Sequence, residues 1–116
     1  MNDAEFARRY YEAWNAHDVD AILALYADDI EFSSPYIAAL GFSGDGVIFG
    51  KALLRAYFEK ALERAPNLSF TPEGLCVGAR GHTLIYRNHR GERAAEHHLM
   101  DAAGRIARAE ATYEIT

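Results

Sequence analysis

Glu96 and His98, two residues apart in the stretch Arg93 to Asp101, are where this sequence concentrates its chemistry. If that stretch is a strand, alternate side chains share a face, so the carboxyl and the imidazole point the same way. Together they can move protons in acid–base chemistry, and both are ordinary metal ligands. Only two candidate ligands converge there and a third would have to come from elsewhere, so no metal and no cofactor is expected. Arg87 belongs to the same picture: a reversal at Arg90-Gly91 sets Glu96 opposite Ile85 and Ala94 opposite Arg87, which leaves Arg87 diagonal to Glu96 on the same face. Burying these charges costs on the order of several kcal/mol unless they satisfy one another. A structural polar network and a reactive site are both open on these residues alone.

The last strand decides which face is inward. Its odd positions read Ala107, Ala109, Ala111, Tyr113 and Ile115, and its even positions Arg108, Glu110, Thr112 and Glu114, so the alanines point inside and the charges outside. A row of inward alanines leaves room for a cavity, unless bulky residues of the third helix fill it. Pairing across Ala103-Gly104 then turns Ala94, Glu96, His98 and Met100 inward.

These residues need a frame. Phe6, Tyr10 and Trp14 recur every four residues, one face of a first helix. Asp18 can cap a second, short helix with Ile22, Leu25 and Tyr26 on its apolar side and Asp28-Asp29 at its end, followed by a strand from Ile30 to Ser34 that includes Phe32. Pro35 to Gly50 reads as an irregular, apolar segment that folds over a cavity mouth, against a partner chain, or on itself; Phe49 lies in it. Its glycines match neither a phosphate loop, since Asp45 and Ala52 stand at required positions, nor a dinucleotide fingerprint, since Phe49 holds the third glycine position. The third helix, Lys51 to Arg64, puts Leu53, Leu54, Tyr57, Phe58, Ala61 and Leu62 on one face. Four strands follow, near 68–77, 82–89, 93–101 and 105–115, separated by short turns that make them antiparallel neighbours. Three helices packed on a strongly curved mixed or antiparallel sheet make one α+β domain over residues 1–116.

With 116 residues, half of them apolar, and a formal charge of −5, the chain suits one soluble domain and not a nucleic-acid surface. Cys76 is alone, so no intramolecular disulfide forms. No apolar run approaches the roughly 20 residues of a membrane helix, and no signal-peptide pattern opens the chain, so no membrane partner and a cytoplasmic location are expected. Leu84, Tyr86, Ala95 and Leu99 would form an apolar outer sheet face, with His97 beside them, that suits a homodimer. His17, His82 and His89 read as loop or strand-end residues.

The order of these elements, with the wording Tyr-x-x-x-Trp-Asn-Ala-x-Asp-x-Asp-x-x-x-x-Leu-Tyr-Ala-Asp-Asp from Tyr10 to Asp29, resembles the nuclear transport factor 2-like superfamily, in particular its SnoaL-like and ketosteroid isomerase-like branches. The resemblance implies a cone-shaped fold with an internal cavity for a small, largely apolar molecule. In the isomerase-like branch it makes Tyr10 a hydrogen-bond donor to a substrate oxyanion and Glu96 a second donor, a carboxylic acid kept neutral by its apolar pocket. It makes Tyr26, Tyr57 and Phe58 pocket aromatics; Trp14, Phe32, Ser34, Phe49, Arg87, Met100, Ala109, Ala111 and Tyr113 complete the expected lining. The branch's general base, an aspartate before a proline, is here Ser34 before Pro35, which argues against steroid isomerisation. In SnoaL-like cyclases an inward histidine and an aspartate act as acid and base; His98 fits the first role, while Glu110 and Glu114 have the wrong parity for the second. Two functions follow: an acid–base enzyme on a carbonyl compound through Tyr10, Glu96 and His98, or a non-catalytic ligand-binding or dimerising module.

Overall fold

The computed structural model describes residues 1–115. Helix α1 (Asp3–Asn15) buries Phe6, Tyr10 and Trp14, and the Asn2 side chain caps it by accepting from the Glu5 N–H at 2.8 Å. Asp18 caps α2 (Val19–Leu23) as expected, accepting from the Ala21 N–H at 3.1 Å. Tyr26 does not belong to that helix: it opens strand β1 (Tyr26–Ser33), four residues earlier than expected. Parallel pairing of Tyr26 with Ile106 wins over helix continuation, and a register break before Glu31 leaves Asp28 and Asp29 in solvent within the strand.

The segment 35–50 is more ordered than its glycines suggest. It holds a short helix α3 (Pro35–Ala39) and strand β2 (Val47–Phe49), which pairs antiparallel with β1. The Ser34 hydroxyl accepts from the Tyr36 N–H at 3.2 Å, and Pro35 takes the first helical position, where its missing N–H costs nothing. Among the described residues the helices therefore number four instead of three. Helix α4 spans Lys51–Arg64 with the expected bounds; Leu54, Tyr57 and Phe58 are buried, while Leu53 is exposed.

Strands β3 (Thr71–Val77), β4 (Gly81–Arg87), β5 (Arg93–Met100) and β6 (Ile106–Tyr113) complete a curved, mixed six-stranded sheet ordered β2-β1-β6-β5-β4-β3, with β1 and β6 parallel and every other pair antiparallel. Ala109 and Ala111 are buried and Arg108 and Glu110 exposed, which is the expected parity of β6. Among the described residues no helix is long and apolar enough to cross a membrane.

The β4–β5 hairpin departs from expectation by one residue, and that residue reverses a strand. Glu96 pairs with Leu84, not Ile85, and Arg93 pairs with Arg87. The loop holds three residues, His89, Arg90 and Gly91, closed by the Asn88 N–H donating to the Glu92 carbonyl at 3.0 Å, with Gly91 at φ 78°. The Asn88 side chain accepts from the Arg90 and Glu92 N–H groups, fixing this odd-numbered turn. Arg87 consequently faces solvent and pairs with Glu73 at 2.8 Å, away from Glu96. Leu84 and Tyr86, expected outside, turn inward and are buried, as is His82.

Candidate functional site

A cavity of about 270 Å³ lies between α1, α4 and the inner face of the sheet. Its deepest polar groups are Tyr10 from α1, Tyr86 from β4 and Glu96 from β5, each at most 3 % exposed. Its walls are Trp14, Phe32, Tyr57, Phe58, Phe70, Ala111 and Tyr113, and its rim carries Arg64, Asn88, His89 and Arg90. Phe70 packs between Tyr10 and Tyr86, its ring centroid 4.3 Å from that of Tyr86 and 6.3 Å from that of Tyr10. The alanine at position 111 supplies the depth, because a larger inward side chain from β6 would reach the space above Glu96.

Glu96 accepts hydrogen bonds from three sides. Tyr10 donates to Oε2 at 2.5 Å, Tyr86 donates to Oε1 at 2.9 Å, and His98 Nε2 meets Oε2 at 2.6 Å. Burial by itself would raise the Glu96 carboxyl, but the His98 hydrogen bond and charge, with the two tyrosine hydroxyls, outweigh it and hold the carboxyl below its ordinary value. Burial first, and the Glu96 charge second, push Tyr10 and Tyr86 far up, so both stay neutral donors. Glu96 is therefore an ionised acceptor, not the neutral donor that the isomerase-like pattern requires. Oε1 takes one hydrogen bond and keeps a lone pair for a ligand's acidic hydrogen. Among the described residues no three His, Cys, Asp or Glu side chains gather as a metal site would need.

The SnoaL-like domain model matches residues 7–110, which include Tyr10, Tyr86 and Glu96 and every other residue of this site except Ala111 and Tyr113. The chain belongs to the SnoaL-like domain family. Its structural relatives agree. A SnoaL-like protein of unknown function from Burkholderia thailandensis is 35% identical, covers 97% of this chain and 95% of its own, and superposes with a TM-score of 0.91. A protein from Sinorhizobium meliloti proposed as a polyketide cyclase is 16% identical, with 97% and 100% coverage and a TM-score of 0.77. One from Kribbella flavida proposed as a ketosteroid isomerase is 16% identical, with 97% and 77% coverage and a TM-score of 0.71; these last two share the fold. No curated protein matches the chain.

Of the candidate residues, Tyr10, Trp14, Phe32, Ser34, Tyr57, Phe58, Glu96, Ala111 and Tyr113 line the cavity of this SnoaL-like domain. The remaining candidates sit elsewhere. His98 is behind Glu96 and does not line the cavity; its Nε2 meets Glu96 Oε2. Tyr26 and Ala109 are buried in the packing behind the walls. Met100 packs half-buried against the core beside the irregular end of β5. Phe49 is 67% exposed, because β2 is an edge strand and Ile48, not Phe49, faces the core. Arg87 is excluded by the hairpin register. Sequence reasoning missed Tyr86, assigned to the wrong face, and Phe70, which precedes β3 outside any periodic pattern. It also missed the basic rim, whose signal was the run His89-Arg90 in a turn facing the end of α4.

Proposed function

We propose that this SnoaL-like protein binds a small, largely apolar carbonyl compound in its cavity and acts on it by acid–base chemistry of the isomerase or cyclase type. One observation carries the reading: a buried, ionised Glu96 faces the cavity with a lone pair free and two tyrosine hydroxyls beside it. Glu96 takes a hydrogen from the carbon next to the carbonyl, and the electron pair left behind delocalises onto the carbonyl oxygen as an enolate. A protonated Glu96 holds the Tyr10 hydroxyl less strongly, so Tyr10 is released to donate to that oxygen as its charge develops. Because the Glu96 carboxyl is held below its ordinary value, it is a weak base, which favours substrates whose hydrogen is already acidified. Arg64 and Arg90 at the rim favour an electron-rich or anionic group at the outer end of the ligand. A cytoplasmic place for this activity belongs to the same proposal.

The apolar bicyclic ketone 2-tetralone tests it. In heavy water the wild-type protein should speed deuterium incorporation beside the carbonyl, and Glu96→Gln should lower that rate about 100-fold or more, with Tyr10→Phe lowering it less. Equal rates in wild type and Glu96→Gln would remove Glu96 as the base.

A non-catalytic binding module is the second reading. Ser34 stands where the related isomerases carry their base, and its hydroxyl is engaged at the start of α3. A rise in melting temperature with 2-tetralone, without any exchange, would favour this reading.

A further inference from the structure

The buried polar groups do not end at His98. His98 Nδ1 lies 2.9 Å from His82 Nε2, and His82 Nδ1 lies 2.9 Å from Asp3 Oδ1 at the start of α1. The Asp3 side chain is 39% exposed, whereas those of His82, His98 and Glu96 are 1%, 0% and 3% exposed. A continuous row thus runs from water to the cavity wall, sealed on its flank by the Phe6 ring, whose centroid is 5.0 Å from that of His82.

Counting protons shows what this row must hold. Three hydrogen bonds link Asp3, His82, His98 and Glu96, and each needs one proton between its partners. Two neutral imidazoles bring only two N–H groups, and the tyrosine hydroxyls already donate to Glu96. The row is complete only with one surplus proton. Burial disfavours charge on His82, so the count assigns the surplus to His98, beside the Glu96 carboxylate.

We propose that Asp3, His82 and His98 form a proton relay connecting Glu96 in the cavity with solvent at the start of α1. When Glu96 takes up a proton from the cavity, the His98 Nδ1 proton passes to His82 Nε2 and the His82 Nδ1 proton passes to Asp3, which releases it to water. One proton enters, one leaves, and no electrons are transferred. The other titratable groups facing Glu96 are Tyr10 and Tyr11 from α1, Tyr26 from β1, Tyr57 from α4, Tyr86 from β4 and Tyr113 from β6, all held neutral by burial. The relay stands whether or not a cavity ligand is chemically changed, so its test is separate from the assay with 2-tetralone.

That test is solvent exchange of the His82 and His98 ring N–H protons, followed by NMR on the full chain labelled with ¹⁵N-histidine. Asp3→Asn keeps the acceptor oxygen but cannot carry a proton. It should slow ring N–H exchange on the order of tenfold or more, and Asp3→Glu should restore it. A signal broadened away in the wild type that sharpens in Asp3→Asn supports the relay equally. If the row is only a structural brace, Asp3→Asn loosens it and exchange becomes faster. Faster exchange, or the same behaviour in both proteins, overturns the proposal.

Discussion

Glu96 illustrates how far a single side chain's chemistry depends on its donors. Its inward direction is legible from alternation in β5, but its charge state is not, because the charge follows from three donors that come from α1, β4 and β5. The tyrosine at 86 was hidden by the hairpin register, and without it the apolar pocket alone argues for a neutral acid. The folded carboxyl lies below its unfolded value of 4.5, so its contribution to stability is present above that value and is lost as pH falls through the lower folded value. Unfolding in urea should therefore show wild-type stability dropping more steeply below about pH 4.5 than that of Glu96→Gln. At pH 7 the same replacement should cost about 1–3 kcal/mol, because an amide N–H₂ placed among Tyr10, Tyr86 and His98 leaves one donor without an acceptor. A Glu96→Gln protein as stable as wild type at both pH values would mean that the three donors do not act on a charge.

At the scale of elements, β4 and β5 carry Tyr86, Glu96 and the His82–His98 pair, and Gly81 is what lets the two strands meet. A Cβ at Gly81 would stand 1.8 Å from the His98 carbonyl oxygen and 2.9 Å from its carbon, both rigid backbone. Gly81→Ala should therefore push the two strands apart beside His82 and His98, at about 3 kcal/mol or more, read as a lowered urea midpoint. Gly81 shows in the sequence only as one glycine of a turn cluster; nothing local reveals that its hydrogen faces a carbonyl. The same holds for the hairpin at the other end of β4. Arg90-Gly91 identifies a turn, but its length is set by the Asn88 side chain, and one residue of difference exchanges Arg87 for Tyr86 at the site. Elements with a long amphipathic period were legible: α4 in its bounds, Lys51–Arg64, and α1 in its buried face of Phe6, Tyr10 and Trp14. The short ones were not: α2 gives up Tyr26 to a parallel strand pair, and α3 forms from a serine cap and a proline inside an apolar loop.

At the scale of the whole molecule, the order of helices and strands identifies the cone, while the outer face of its sheet leaves a question that the register change sharpens. With Leu84 and Tyr86 turned inward, the outer face carries Thr83, Ile85, Ala95, His97 and Leu99, flanked by the ion pairs of Arg87 and Arg93 with Glu73 and of Arg93 with Glu114. Leu99 is 44% exposed and is the largest apolar group left there without cover. A homodimer through this face, expected from the sequence on a richer apolar set, is now proposed on Ile85, Ala95 and Leu99. A two-fold pairing buries each of these residues twice, so one substitution acts on both copies. Leu99→Lys should then weaken the dimer by about 3 kcal/mol, two orders of magnitude in Kd, and light scattering across a dilution series should show dimer mass for wild type and monomer mass for the variant at the same concentration. Since Leu99 faces away from the cavity, 2-tetralone should still stabilise the Leu99→Lys monomer. A wild-type chain of monomer mass at every concentration would end the dimer proposal and leave the reading of the cavity untouched.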